Sequence, residues 1–259
     1  MTMSKLMQRI AHKRVVIKLG GSMIDSLEES FFARLRQMRN DGMEMIIVHG
    51  GGPSINAALE KKGIVSTSID GIRVTCSQSI EVVNQVLISE VNTALVHQMN
   101  EAGIESIGLS GFDGKLLSCK MLNKETYGYV GEIELVNHFL IDKLLQADIV
   151  PVISCIGTTA DGHPLNINAD TVASKVAQSI GSELLYFVSD TPGITISGNV
   201  QQKASPSAIY EWIAAGEIYG GMIPKVKAAL SCIEEGIPSV EITDQQLKGT
   251  MISHEEVCV

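Results

Sequence analysis

The chain is predicted to be an α/β protein built on an open, mainly parallel sheet sandwiched between helices. Three observations point that way. Short apolar runs alternate with amphipathic stretches along most of the 259 residues, the pattern of strands joined by crossover helices. Hydrophobic residues make up 45% of the chain and the mean hydropathy is +0.19, which suits strands buried on both faces. Two glycine runs, Ile17-Lys18-Leu19-Gly20-Gly21-Ser22 and Val48-His49-Gly50-Gly51-Gly52-Pro53, each fall between an apolar run and an amphipathic one.

Residues 15–19 read as the first strand. Residues 26–40 follow as a helix, with Ser26 and Glu29 spaced as a capping box and Phe31, Leu35 and Met38 as its apolar stripe. A second strand spans 44–48, and Pro53 suits the start of a helix over 54–62. Residues 64–75 are polar and β-rich, a loop or hairpin. A long helix over 77–102 ends at Gly103 and leads to a strand at 104–109. Two hairpin-like stretches follow, at 115–121 and 127–136.

The periodicity then predicts a helix at 137–146, a strand at 149–154, a short hairpin around Asp161-Gly162 and a helix at 169–180. A strand at 183–188 opens the last third. It is followed by a loop, helices at 206–215 and 224–235, a strand at 239–242 and a tail. Two lobes sharing one sheet, 1–182 and 183–259, are expected to meet near Gly181 without a break in composition.

Bulk properties exclude several classes. No apolar run approaches the roughly 18 residues of a membrane span, and the leader carrying Arg9, Lys13 and Arg14 has no signal-peptide core after it. A cytoplasmic protein is expected. Five cysteines without C-x-x-C spacing and six dispersed histidines argue for reduced thiols, and against a disulfide scaffold or a zinc site. A net charge of −9 disfavours nucleic acid as a partner.

Both glycine runs sit where bare N–H groups meet a helix start, which is a favourable place for an anion. Neither is a P-loop or a dinucleotide fingerprint, since no Gly-Lys-Ser/Thr and no G-x-G-x-x-G occurs there. A phosphorylated ligand is expected, bound by another design. Lys18 is either a strand-end lysine reaching solvent or a cation held beside those N–H groups. Lys225, in Gly220-Gly221-Met222-Ile223-Pro224-Lys225, falls in the first turn of a helix. A lysine there is mildly unfavourable unless an anion shares the site.

Asn166, Asn168 and Asp170 precede a helix at alternate positions. Capping explains one of them; three can face a ligand together along an extended segment. Arg73, in Gly71-Ile72-Arg73-Val74-Thr75, is a surface arginine or a bidentate carboxylate clamp. Ser189-Asp190-Thr191-Pro192-Gly193 is a turn by composition, placed at the carboxyl end of a strand where ligands bind in open sheets. His49 reads as a structural hydrogen-bonder, and the eleven methionines and Trp212 as packing.

In order along the chain, Ile17–Ser22, Val48–Pro53, Gly71–Thr75, Val130-Gly131-Glu132, Asn166–Asp170, Ser189–Gly193 and Gly220–Lys225 resemble the amino acid kinase family, and within it the acetylglutamate kinase branch. The resemblance implies a carbamate-kinase-like, three-layer αβα fold. It also implies Mg²⁺-dependent transfer from ATP to the side-chain carboxylate of N-acetyl-L-glutamate, an early step of arginine biosynthesis. Carried over by position, Lys18 and Lys225 flank the transferred phosphoryl group and Asp170 orients both. Gly20 and Gly21 bind phosphate, Gly51 and Gly52 bind substrate, Arg73 pairs the α-carboxylate, and Asn166 takes the acetamido or carboxylate portion. Asp190, Thr191, Pro192, Gly193, Ile194, Thr195, Glu217, Ile218 and Tyr219 border the nucleotide.

By the same resemblance, residues 1–182 form the acceptor-binding and dimerisation lobe and 183–259 the nucleotide lobe. No protein ligand set for the metal is expected; nucleotide phosphates and water hold it. The short leader implies an arginine-insensitive homodimer, and no regulatory domain is expected after the kinase region. Thr191-Pro192 departs from the small or aliphatic residues common in that loop. Two alternatives remain open: a sister kinase acting on glutamate or an aminoadipate derivative, and a non-catalytic nucleotide-binding paralogue, whose mark would be loss of Lys18, Asp170 or Lys225. All three are present.

Overall fold

A computed structural model of the chain describes residues 13–254; most of the expected leader lies outside the described residues. The first apolar run forms β1 (Arg14–Leu19), and a 3-10 turn at Ile24–Ser26 leads into α1 (Glu29–Asn40). Next come β2 (Glu44–His49), α2 (Gly52–Lys61) and a hairpin of β3 (Thr67–Ile69) with β4 (Ile72–Val74). The long helical stretch divides into α3 (Ser77–Gln85), a π-helical turn (Val86–Asn92) and α4 (Thr93–Glu101). After β5 (Ser106–Leu109) come β6 (Leu117–Met121), the short α5 (Lys124–Tyr127) and β7 (Gly131–Val136).

The middle of the chain continues with α6 (His138–Gln146), β8 (Val150–Ser154), β9 (Ile156–Thr158), β10 (Pro164–Asn166) and α7 (Ala169–Ser179). Then follow β11 (Leu184–Val188), β12 (Thr195–Ile196), β13 (Asn199–Val200) and β14 (Lys203–Ala204). The last elements are α8 (Pro206–Ala214), α9 (Met222–Glu234), β15 (Ser239–Thr243) and β16 (Thr250–Ser253).

Eight strands share one sheet in the order β14-β16-β15-β11-β1-β2-β8-β5. All neighbours from β15 to β5 are parallel, while β16 runs antiparallel to β15. Every residue of β8 and β11 is buried. The apolar runs of Leu184–Val188 and of Val150–Ile153 follow from that position, since an interior parallel strand is covered on both faces. Phe31, Leu35 and Met38 of α1 are fully buried, as the stripe predicts.

The order matters for function. From β1 the chain moves to β2 on one side, and β11 pairs with β1 on the other. The sheet therefore has its topological switch point at β1, where a crevice opens beyond the carboxyl ends of the strands. Because β11 lies beside β1, one sheet spans the expected lobe boundary.

Four local expectations are corrected. The capping box does not form: Ser26 ends the 3-10 turn and bonds Met23 O, while Glu28 is the residue preceding α1. The helix expected over 77–102 widens into a π turn at its centre. The two hairpin-like stretches are the two arms of one antiparallel pair, β6 with β7, in a second sheet ordered β10-β9-β6-β7. The tail supplies β16, whose partner β15 gives it a register that its own short sequence does not announce. No helix among the described residues is long and apolar enough to cross a membrane.

Candidate active site

The two glycine turns meet. Gly20 N–H donates to Val188 O at 3.0 Å and Gly50 N–H to Leu19 O at 3.1 Å, so the first glycine of each run stitches its turn to the neighbouring strand. This corrects the expectation for Gly20, whose only N–H is spent on β11. The N–H groups of Gly21, Gly51 and Gly52 meet no acceptor among the described residues. A Cβ on Gly21 would lie 2.7 Å from Gly52 N and 2.8 Å from Gly51 Cα. Only glycine allows that approach. Gly52 opens α2 with Pro53 behind it, so its N–H sits at the positive end of the helix.

The π turn supports this arrangement from below. Its Leu87 and Val91 side chains abut Gly51, and its Asn92 Nδ2 donates to Val152 O and to His49 Nε2, both at 2.9 Å. His49 is fully buried and its Nδ1–H donates to Gly50 O at 3.0 Å. Burial pushes its pKa down to about 4, so it is a neutral strut beneath the turn, as the sequence reading holds. A π turn beside a functional site is a recurring use of that irregular geometry.

Lys18, one residue before the end of β1, extends its ammonium to 2.8 Å from Asp170 Oδ1 and 5.7 Å from the Phe187 ring centroid. Its side chain is 17% exposed, and that of Asp170 is 37% exposed. Asp170 occupies the first turn of α7, where Asn168 Oδ1 accepts its N–H at 2.8 Å. Asn168 is thus the cap, and Asp170 is left to pair with lysine.

Lys225 stands in the first turn of α9. Its Nζ donates to Ser189 Oγ at 3.1 Å, Asp190 Oδ1 at 3.0 Å and Thr191 Oγ1 at 2.5 Å. The expectation that Asp170 orients both lysines is corrected here: the turn after β11 wraps three oxygens around Lys225. Hydrogen bonding by Lys225 holds the Asp190 carboxyl below the usual carboxylate range. The two ammonium groups nonetheless belong to one edge of the sheet. Lys18 is registered with Phe187, and Ser189 lies two residues further along the same chain direction.

The turn continues into residues 190–195. Gly193 adopts φ 152° with its Cα facing Thr250, whose Oγ1 accepts Ile194 N–H at 2.8 Å and donates to Gln201 O at 2.5 Å. Ile194 is fully buried and Ile218 is 2% exposed. Both were expected to border a ligand; their side chains instead belong to the core and shape the loop from beneath. Asp190, Pro192, Thr195 and Glu217 are exposed, Thr191 is half-buried, and Tyr219 is 76% exposed.

A second cluster adjoins the second glycine turn. Arg73 on β4 donates to Ser66 Oγ and, at 3.5 Å, to Gly52 O, which ties the β3–β4 hairpin to the second glycine turn. Asn166 at the end of β10 donates from Nδ2 to Thr75 Oγ1 at 3.1 Å. A cavity of about 620 Å³ opens beside Arg73, with Asn56, Glu60, Ser66 and Ser68 among its walls. Ser66 was not singled out in the sequence, and Thr75 and Ser189 were named only within their motifs, without a contact of their own. The signal for Thr75 was present: it lies two residues from Arg73 on an extended segment, hence on the same side.

Lys18, Gly21, Gly51, Gly52, Asp170 and Lys225 therefore line the carboxyl edge at the switch point, with Arg73 and Asn166 adjoining through Gly52 and Thr75. The sequence profile of the amino acid kinase family matches residues 13–244. The chain belongs to the amino acid kinase family. An acetylglutamate kinase of Geobacillus kaustophilus (strain HTA426) is 44% identical over 230 residues, 89% of each chain. The crystal structure of smu.665 from Streptococcus mutans UA159 superposes with a TM-score of 0.85 at 30% identity, covering 93% of this chain and 99% of that one. The structure of a Giardia carbamate kinase shares the amino acid kinase fold at a TM-score of 0.67 and 14% identity, over 94% of this chain and 99% of its own.

Proposed function

We propose that the chain transfers the γ-phosphoryl group of ATP to the side-chain carboxylate of N-acetyl-L-glutamate, giving N-acetyl-L-glutamyl 5-phosphate for arginine biosynthesis. One observation carries the reading: two ammonium groups, Lys18 braced by Asp170 and Lys225 braced by Ser189–Thr191, at the carboxyl ends of the adjacent strands β1 and β11, beside glycine N–H groups without acceptors. The acetylglutamate kinase relative, similar over nearly the whole chain, supports the choice of acceptor.

A carboxylate with a pKa of about 4 is already ionised at neutral pH, so the nucleophile needs no general base. His49, buried and neutral, is not in a position to act as one. The chemistry left to the protein is positioning and charge neutralisation in a loose transition state. In this reading Lys18 and Lys225 stabilise the transferring group, and Gly21 N–H meets a phosphoryl oxygen. Gly51 and Gly52 N–H groups hold the attacking carboxylate, Arg73 pairs the α-carboxylate, and Asn166 binds the acetamido or carboxylate portion. The 190–195 loop with Glu217 and Tyr219 borders the nucleotide.

Mg²⁺ accompanies the nucleotide and supplies positive charge at its phosphate oxygens. The donor set fits that role: Asp170 and Asp190 each already hold a lysine, which leaves the metal to phosphates and water. The segment before residue 183 serves the acceptor and the segment after it the nucleotide. The working form is a cytoplasmic homodimer without nucleic-acid or membrane partners. β5 closes one edge of the sheet with Ile107 exposed, which supplies a face for a second copy.

The test is an ATP-dependent hydroxylamine trap run on N-acetyl-L-glutamate, L-glutamate and an N-acylated aminoadipate. Hydroxamate from the first acid, above the other two, is expected. No hydroxamate from N-acetyl-L-glutamate rules the proposal out.

A further inference from the structure

We infer that His49, its tautomer set by Asn92, is a positioning residue that locks the Gly50–Gly51 peptide with its N–H turned to the acceptor. The inference rests on the proposed function above, in which Gly51 N–H meets the attacking carboxylate, and adds the residues that hold that donor in place.

A peptide plane between two glycines meets little steric resistance to turning over, because neither flanking residue has a Cβ. The Gly50–Gly51 peptide is trans, so its carbonyl and its N–H point in opposite directions. His49, fully buried, holds the carbonyl by its Nδ1–H at 3.0 Å. The Gly51 N–H is thereby directed away from that buried ring, and it meets no acceptor among the described residues. Turned over, the plane would present the Gly50 carbonyl to a carboxylate, acceptor against acceptor.

The lock needs one tautomer, and Asn92 selects it. Asn92 is 6% exposed, and its Nδ2 lies 2.9 Å from both Val152 O and His49 Nε2. A backbone carbonyl can only accept, so the half of the amide that faces Val152 O is the NH₂, whose second proton is left for His49. Nε2 must then accept, which leaves the ring proton on Nδ1, facing Gly50 O. A second ring proton would set donor against donor at Asn92, and burial keeps it off at neutral pH. The π turn ends on Asn92, so that irregular turn supplies the residue that fixes the donor.

Asparagine and glutamine divide the two functions of the ring. The amide of an asparagine falls near the place of Nδ1, and that of a glutamine near the place of Nε2. His49→Asn can keep the bond to Gly50 O, whereas His49→Gln can keep only the one to Asn92.

Steady-state kinetics of the full chain at neutral pH, with ATP, Mg²⁺ and N-acetyl-L-glutamate, test the inference. Turnover by the unsubstituted chain reports on the underlying function; the two variants report on the lock. His49→Gln is expected to raise KM for the acceptor roughly tenfold, the size of one lost bond to a charged group, and to leave KM for ATP unchanged. His49→Asn is expected to restore most of that loss. An unchanged acceptor KM in His49→Gln overturns the inference. So do equal losses in both variants, or KM for ATP rising together with that for the acceptor, since a merely structural strut acts that way. The ring ¹⁵N shifts of His49 in the unsubstituted chain read the tautomer independently: a proton on Nδ1 is expected, and a proton on Nε2 overturns the inference. If the variants do not fold, that measurement decides alone.

Discussion

A Cβ on Gly21 would come within 2.7 Å of Gly52 N, so the turn after β1 rests directly on the turn after β2. Gly21→Ala must push backbone against backbone and separate the unpaired N–H groups. A fall in kcat of roughly 10²-fold is expected, the size seen when one preorganised donor is lost. Gly52→Ala is a useful contrast, because a Cβ there meets nothing within 4 Å. Its melting temperature is expected to match the unsubstituted chain while KM for the acceptor rises. A Gly21→Ala enzyme with full kcat would show that the contact has no part in catalysis.

Lys18 and Lys225 are braced differently, and their variants differ accordingly. Lys18 depends on Asp170, so Lys18→Ala and Asp170→Asn are each expected to lower kcat by roughly 10²-fold or more with ATP binding retained. Lys225→Ala is expected to do the same. Asp190→Asn is expected to cost less than roughly tenfold, since Asp190 is exposed and Ser189 and Thr191 still hold the ammonium. Steady-state kinetics separate these outcomes. A Lys225→Ala effect confined to KM contradicts a role in the transition state.

Besides the Lys225 contacts at its start, the 190–195 loop is held at its far end by one hydroxyl, Thr250 Oγ1, between Ile194 N–H and Gln201 O. Thr250→Val keeps the shape and deletes both bonds. KM for ATP is expected to rise several-fold, by roughly 1 kcal/mol of lost hydrogen bonding, with KM for the acceptor unchanged. Equal increases in both constants would mean that the loop does not serve the nucleotide alone.

How much of this was legible in the sequence follows from what each residue depends on. The strand cores, the α1 stripe of Phe31, Leu35 and Met38, and the glycine turns depend on local pattern and were readable. Lys18 and Lys225 were visible as misplaced charges within good secondary-structure signals, and Asp170 as part of a polar run longer than capping requires. Partner choice was not. Lys225 bonds the Ser189–Thr191 turn and Gly20 spends its N–H on Val188 because β11 happens to lie beside β1, a fact of topology. The π turn at Val86–Asn92 and the burial of Ile194 and Ile218 likewise come from packing against segments distant in sequence.

His49 predicts an acid limit to stability. Its pKa is about 4 in the folded chain against an ordinary 6.5, lowered by burial. The unfolded chain therefore binds the proton more readily between those values, and stability is lost as pH falls from about 6.5 towards 4. The contribution is on the order of 3 kcal/mol below that range. Denaturant melts of the unsubstituted chain and His49→Gln at pH 7 and pH 4.5 check it. The difference between the two proteins is expected to shrink at the lower pH; parallel losses in both would assign the acid sensitivity to other groups.

Oxygen tracing tests phosphoryl transfer to the carboxylate most directly. N-acetyl-L-glutamate labelled with ¹⁸O in its side-chain carboxylate is turned over with ATP and Mg²⁺, and hydroxylamine releases the phosphate by attack at the acyl carbon. Mass spectrometry of that phosphate is expected to find one ¹⁸O, the atom that attacked phosphorus between Lys18 and Lys225. Phosphate carrying only ¹⁶O would mean that water, not the acceptor, takes the phosphoryl group, and would contradict the account.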